Sequence, residues 1–252
     1  MTRFVVTAMM IAAVTAVMSA QKPEATSLSG KALMIPSPIA NQPKLEADLA
    51  QAEKTLAANP KDAEAIIWTG RRLGYLWRYN DAIAMFSKGI ALYPDNAKLY
   101  RHRGHRYITI RQFAKAEADF KKAAQLITGK PDEIEPDGAP NPAGKPRSTL
   151  QFNIWYHLAL SHYLQGNYAA AYDAQVECMK VSDNDDSIVA TSDWMWMTLM
   201  RLNRKADAAN VLDDETVEQF DMASTQVDRH MRRCRSVGVG QPIGIGEGGV
   251  GS

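Results

Sequence analysis

Residues 70–94 read GRRLGYLWRYNDAIAMFSKGIALYP, and residues 104–128 read GHRYITIRQFAKAEADFKKAAQLIT. Laid over one another at an offset of 34, Gly70 falls on Gly104, Tyr79 on Phe113, Ala82 on Ala116 and Phe86 on Phe120. Four matches in one register mark an internal repeat whose period is that of a helix pair. Each unit reads as a helix carrying a small residue, a tight turn, then a second helix carrying Ala with an aromatic four residues later. Small residues at Gly70, Gly104 and Ala159 let two helices approach, Ala82, Ala116 and Ala171 do the same on the partner helix, and the aromatics fill the gaps between units. One helix pair cannot bury its own apolar face, so the units must stack into a solenoid with a concave groove.

Further units lie outward from these two. Beginning near Phe152, the order recurs in Trp155, Leu158, Ala159, Gly166, Tyr168, Ala171 and Cys178, with His162 at a tyrosine position and Gln175 at an aromatic one. A more divergent unit starts near Val189 with Trp196, Leu199, Ala208 and Leu212. Upstream, Leu45–Ala58 reads as a lone second helix, because Pro60 stands 34 residues before Pro94. The order Gly70, Leu73, Tyr79, Ala82, Phe86, Pro94 and then Tyr100, Gly104, Tyr107, Phe113, Ala116, Phe120 resembles the tetratricopeptide-repeat (TPR) family. The resemblance covers about Lys44–Asp213. It implies an all-α, TPR-type helical solenoid of antiparallel helix pairs: a half repeat at 44–60 and repeats near 63–96, 97–128, 152–185 and 189–213. Asp62, Asn96 and Ser148 are placed to cap first helices, and Pro60 and Pro94 to end second ones.

Other segments frame or interrupt the array. With 46% apolar and 23% charged residues, the chain has the means for a core. Residues 1–20 carry Arg3 as their one charge, then an apolar run from Phe4 to Met18, then Ser19 and Ala20, which reads as a signal peptide with cleavage near Ala20. The alternative is an uncleaved anchor, although the run is shorter than the roughly 20 residues that span a bilayer comfortably. The expected location is periplasmic or secreted, with no transmembrane segment after cleavage. Residues 21–42, with Pro23, Pro36 and Pro38, read as an extended leader without helix period. Residues 128–147 hold five prolines and three glycines around Asp132, Glu133, Glu135 and Asp137, and must loop out as an insertion. It is either a partner-contacting loop or inert, and it could fold back to cover the groove. Residues 214–236 read as an amphipathic capping helix through Val217, Phe220, Val227 and Met231, and 237–252 as a disordered Gly-rich tail.

A net charge of +1 conceals a segregation. Arg71 to Arg111 holds nine Lys/Arg against Asp81 and Asp95, whereas Asp183 to Asp221 holds ten acids against Arg201, Arg204 and Lys205. In the TPR family the second, fifth, ninth and twelfth positions of a unit line the groove. The resemblance therefore implies Glu64, Ile67, Arg71 and Gly74, then Lys98, Arg101, His105 and Ile108, then Asn153, Tyr156, Leu160 and Tyr163. The candidate partner-binding set is Arg71, Lys98, Arg101, His105, Ile108, Asn153, Tyr156 and Tyr163: a cationic stripe with an aromatic side that holds the apolar part of a bound segment. Chaperone-binding members of the family hold a carboxylate with Lys, Asn and Arg. Ile67, His102, Asn153 and His157 occupy those places here, which argues against that partner.

No catalytic residues, cofactor or metal are expected. His102 and His105 lack further ligands at metal spacing, and the acids of Ser182–Ser187 read as an inter-repeat turn lacking the central Gly and distal Glu of a calcium loop. Cys178 and Cys234 are too few and too far apart for a zinc site and read as free buried thiols. The expected function is a non-enzymatic scaffold binding an acidic protein or peptide, with no small-molecule substrate. The alternatives are a polyanion-binding module, with nucleic acid the less expected ligand, or an accessory subunit of an enzyme complex.

Overall fold

The computed structural model describes residues 22–136 and 148–211. The signal-like segment 1–20, the second half of the insertion, the segment expected to cap the array and the Gly-rich tail lie outside the described residues, as does Cys234. Helices follow one another along the chain: α1 Gln42–Ala58, α2 Ala63–Tyr75, α3 Tyr79–Leu92, α4 Ala97–Thr109, α5 Phe113–Ile127, α6 Leu150–Leu164, α7 Tyr168–Lys180, α8 Asp185–Arg201 and α9 Lys205–Val211. Each packs on the next, and α2 also touches α4, α4 touches α6 and α6 touches α8. The first helices of the pairs thus form one continuous layer, the concave wall of a helical solenoid.

Local chemistry sets where the helices start. The Asp62 carboxylate accepts from the amides of Glu64 at 2.8 Å and Ala65 at 3.3 Å, and Asn96 accepts from Lys98 at 3.0 Å. The third unit is capped by Thr149, which accepts from Phe152, and not by Ser148, whose carbonyl is taken by the amide of Glu135 at 2.9 Å. The fourth first helix begins at Asp185 and not near Val189. Asn184 and Ser187 form a reciprocal capping box there, and Asp185 and Asp186 sit where the positive end of the helix favours them. The half repeat starts at Gln42, two residues before Lys44, because Pro43 fits a first turn that has no use for its amide. In the leader, β1 (Ala25–Thr26) pairs antiparallel with β2 (Ala32–Leu33).

Small against large makes the core. Phe86 and Phe120 are 1% and 0% exposed. A methyl group added at Gly104 would stand 2.9 Å from a Phe120 ring carbon, and one at Gly70 closer still to Phe86. Between α6, α7 and α8 the interior is polar instead. Gln175, in an aromatic position, donates to Thr198 Oγ1 at 2.8 Å, and the Cys178 thiol, pushed up to about 11 by burial, lies 3.4 Å from the Thr191 hydroxyl.

Candidate functional site

On the inner wall, α2 contributes Arg71 and Tyr75, α4 contributes Lys98, Arg101, His102, His105 and Arg106, and α6 contributes Asn153 and His157. Arg71, Tyr75, Phe86, Arg101, His102, His105 and Arg106 line a cavity of about 140 Å³. Three guanidiniums line it, and no carboxylate among the described residues does. A wider cleft of about 560 Å³ opens at the edge of the array, where Tyr93, Asn96, Lys98, Glu133 and Gln151 lie among its walls.

The histidines here are neutral. His102 and His105 are held well below the usual imidazole range, first by burial; the Arg101, Arg71 and Arg106 charges add to this at His102, and His157, Arg106 and Arg101 at His105. His157 falls to about 3, again first through burial and then through Arg101. Hydrogen bonds set the tautomers, because a guanidinium only donates and a carbonyl only accepts. Arg101 donates to His102 Nδ1 at 3.1 Å and Arg106 to His105 Nδ1 at 3.0 Å, whereas His157 Nδ1–H donates to the Asn153 carbonyl at 2.6 Å. The repeat's phenylalanines steady two of the rings: Phe86 stacks on His102 and Phe120 on His157. Burial also lowers Arg101 and Arg106, so each cation is held where its own charge is disfavoured. Arg71 lies 4.2 Å above the Trp68 ring.

The first half of the insertion lies across this wall. Glu135 is 6% exposed; its Oε2 is 3.0 Å from Arg101 Nε and accepts from Asn153 Nδ2 at 2.6 Å, and its Oε1 is 3.1 Å from His102 Nε2. Glu133 reaches Lys98 at 3.0 Å, where Glu64 also approaches at 3.2 Å. Burial would lower the Lys98 ammonium, but its bonds to Glu133 and Glu64 outweigh this and raise it. Arg71 donates to the carbonyl of Pro136 at 2.7 Å.

The structure thus brings together Arg71, Lys98, Arg101 and Asn153, and it departs from the sequence reading elsewhere. His105 joins the cluster as a neutral ring and not as a cation, 4.6 Å from the ring of His157. Ile108 is half-buried and packs against the core around Phe120 and Leu158, and Ile67 is 2% exposed in the core and is no groove contact. Asn153 is buried beneath Glu135. Tyr156 and Tyr163 belong to the next junction: Trp194 of α8 donates to Tyr156 Oη at 2.8 Å and meets the Tyr163 ring edge-on at 5.1 Å. Arg103 points away from the wall and makes a bidentate pair with Asp119 of α5 at 2.8 and 2.7 Å.

The candidate set from the sequence leaves out Arg106 and Trp194, and His157 enters only as one of the places of the family's chaperone-binding set. The signal for Arg106 was the four-residue spacing 98–102–106, which runs beside the chosen stripe on the same helix face. Among the described residues, no group of three His, Cys, Asp or Glu is arranged to hold a metal, and no helix is long and apolar enough to cross a membrane.

No family model matches the chain. Over 86 residues, 34% of its length, it is 31% identical to the human Tetratricopeptide repeat protein 13, of which it spans 10%. Among solved structures, it is similar to MamA (41-end) from Desulfovibrio magneticus RS-1, with a TM-score of 0.55 at 14% identity, covering 73% of this chain and 91% of that one. It is similar also to YrrB, described as a TPR protein with an unusual peptide-binding site, with a TM-score of 0.51 at 16% identity, covering 74% of this chain and 82% of that one. At such identities the likeness is one of fold.

Proposed function

We propose, on the premise that this chain is a protein of the tetratricopeptide-repeat fold, that it is a non-enzymatic scaffold for protein–protein interaction whose concave wall takes an acidic, extended segment of a partner. Stacked helix pairs offer a continuous concave surface of the length and curvature that an extended peptide needs. The fold shared with YrrB, a TPR protein with a peptide-binding site, supports a protein or peptide occupant.

The observation that carries the acidic chemistry is the convergence of Arg71, Arg101 and Arg106 on one cavity. Like charges held together out of water repel and lose hydration, and an anion relieves both costs. Guanidiniums can meet a carboxylate with two parallel bonds, which favours carboxylates over neutral amides. Neutral His102 and His105, whose Nδ1 atoms accept from Arg101 and Arg106, add Nε2–H donors and stacking surface but no charge, so the attraction comes from the arginines and Lys98.

The test is a peptide array in which acidic peptides are matched by their Gln and Asn counterparts, probed with the full chain and with Arg71→Glu/Arg101→Glu. Selective retention of the acidic set by the wild type, lost in the double variant at unchanged helicity, is the expected result. Equal retention of acidic and amide peptides, or no effect of the double variant, would overturn the acidic reading. Retention should also weaken as salt rises, because ionic screening acts on the exposed part of the site.

The export reading rests on Arg3, the apolar run and Ser19–Ala20. Protein from the native host is expected to begin near Ala20 or Gln21 by mass spectrometry. An intact Met1 in a soluble cytosolic fraction would sink it.

A further inference from the structure

We infer that Asp132–Pro136 is an internal stand-in for the partner, so that the wall is built to read an extended segment with carboxylates two residues apart, and a partner binds by displacing this one. The inference rests on the acidic-segment reading above and adds to it a pattern and a competitor.

The pattern is set by geometry. Ile134 bridges antiparallel to Thr149, so the backbone there is extended and alternate side chains share a face. Glu133 and Glu135 therefore point together at the wall, one to Lys98 and the other to Arg101, His102 and Asn153. Ile134 between them points away and is 65% exposed. One step on, the Pro136 carbonyl answers Arg71. Three successive groups of one strip are thus met by side chains from α2, α4 and α6, which is how a groove reads a peptide.

The fit is incomplete, which makes the strip replaceable. Arg101 Nε and Glu135 Oε1 are both buried without a well-aligned hydrogen bond, despite their short separations from Glu135 Oε2 and His102 Nε2. Arg71 receives a neutral carbonyl in place of a carboxylate. Arg106 lines the cavity with His105 as its hydrogen-bond acceptor and has no carboxylate partner among the described residues. An external segment with one more acid has something to gain at each of these positions.

The attachment also permits exchange. The strip's backbone bonds run to the segment that opens α6, Glu135 N–H to the Ser148 carbonyl and Leu150 N–H to the Glu133 carbonyl, both at 2.9 Å, and Asp132 Oδ1 accepts there from the Gln151 amide at 3.0 Å. Its bonds to α2 and α4 all involve a side chain of those helices, so Glu133, Glu135 and the Pro136 carbonyl can give these up while the strip stays paired to the start of α6.

The probe is the strip itself, as a labelled, end-blocked peptide of residues 131–136, PDEIEP, titrated by fluorescence anisotropy into the full chain and into Glu135→Gln. A tethered ligand competes at an effective concentration in the millimolar range, so removing its carboxylate should tighten the probe by about tenfold or more. The probe with its second glutamate replaced, PDEIQP, should lose that gain. Glu133→Gln, at a half-exposed position that folding tolerates, should give a smaller gain of about threefold and serves if Glu135→Gln loses helicity. Equal binding of PDEIEP to wild type and both variants, or no binding to any, overturns the internal-ligand inference. Neither result touches the reading of the groove, which stands or falls on the array and the arginine double variant.

Discussion

Gly70, Gly74 and Gly104 lie on inner helices, and what each faces decides what a methyl group would do there. At Gly104 the added carbon meets the Phe120 ring at 2.9 Å, and Phe120 is fully buried with nowhere to move. At Gly74 it meets the end of the Arg106 side chain, also at 2.9 Å, and a guanidinium on a flexible stem can swing aside. Gly104→Ala is therefore expected to lower stability by about 1–2 kcal/mol, the cost of overpacking less the helix-propensity gain of Ala over Gly. Gly74→Ala should stay within about 0.5 kcal/mol of wild type while weakening retention of acidic peptides, because it displaces Arg106. Urea midpoints and the peptide array measure the two effects separately. If Gly104→Ala proved as mild as Gly74→Ala, the close contact between the first helix of one unit and the second would not be limiting.

At the level of the element, each inner–outer helix pair turns through one residue in the left-handed region: Trp77, Arg111, Gly166 and Asn203, with φ of 62°, 66°, 79° and 59°. The shared geometry explains why α3 and α5 run back along α2 and α4 with the same offset of 34, and why Gly stands at the third turn. Nothing lies within 4 Å of a methyl group added at Gly166, so Gly166→Ala tests backbone conformation alone. It is expected to cost about 1–2 kcal/mol, read from the urea midpoint, and a neutral result would mean that the turn relaxes into another conformation. Helices and their pairing were legible because they rest on spacing: small residues against Phe86 and Phe120, and caps at Asp62 and Asn96, are local or periodic signals. Thr149 displaced Ser148 as a cap because a backbone bond to Glu135, remote in sequence, claimed Ser148 first. The site was legible only as far as helix periodicity carries. Arg71, Lys98 and Arg101 follow from it together with the groove positions that the family resemblance implies, but the charge state of His105 depends on burial by neighbouring units. The turn of Ile108 toward Phe120 depends on how α4 rolls against α6. The position of Glu135 belongs to an aperiodic segment that no spacing rule places.

For the molecule as a whole, the neutral histidines tie stability to pH. His102 is buried and His105 and His157 are half-buried in the wall, all three with their proton affinity lowered, and buried His162, beside Glu117, is lowered as well. Below the unperturbed value of about 6.5 the unfolded chain takes up protons at these rings while the folded chain does not. The unfolded state then binds more protons, so stability rises with pH in this window and falls on acidification. The contribution is fully present above pH 6.5 and is lost as pH drops toward the folded values, which for His157 is about 3. Each of these rings adds up to about 1.4 kcal/mol of loss per pH unit, so the three together predict a fall of at most about 4 kcal/mol between pH 7 and 5.5. Carboxylates contribute little there: those lowered in the fold, Asp48 and Glu117, act at more acidic pH, and Asp119, raised by burial, works in the opposite direction. The measurement is the urea midpoint at fixed ionic strength across this range, for wild type and His157→Gln. Whatever the substitution does to absolute stability, removing one titrating ring should make the slope shallower by about one proton. A midpoint that stays flat from pH 7 to 5.5 would mean that the rings are protonated in the folded wall. The arginine cavity would then hold more positive charge than the hydrogen-bond pattern assigns to it, and Glu135 would be a true counter-ion to His102 and not to Arg101 alone.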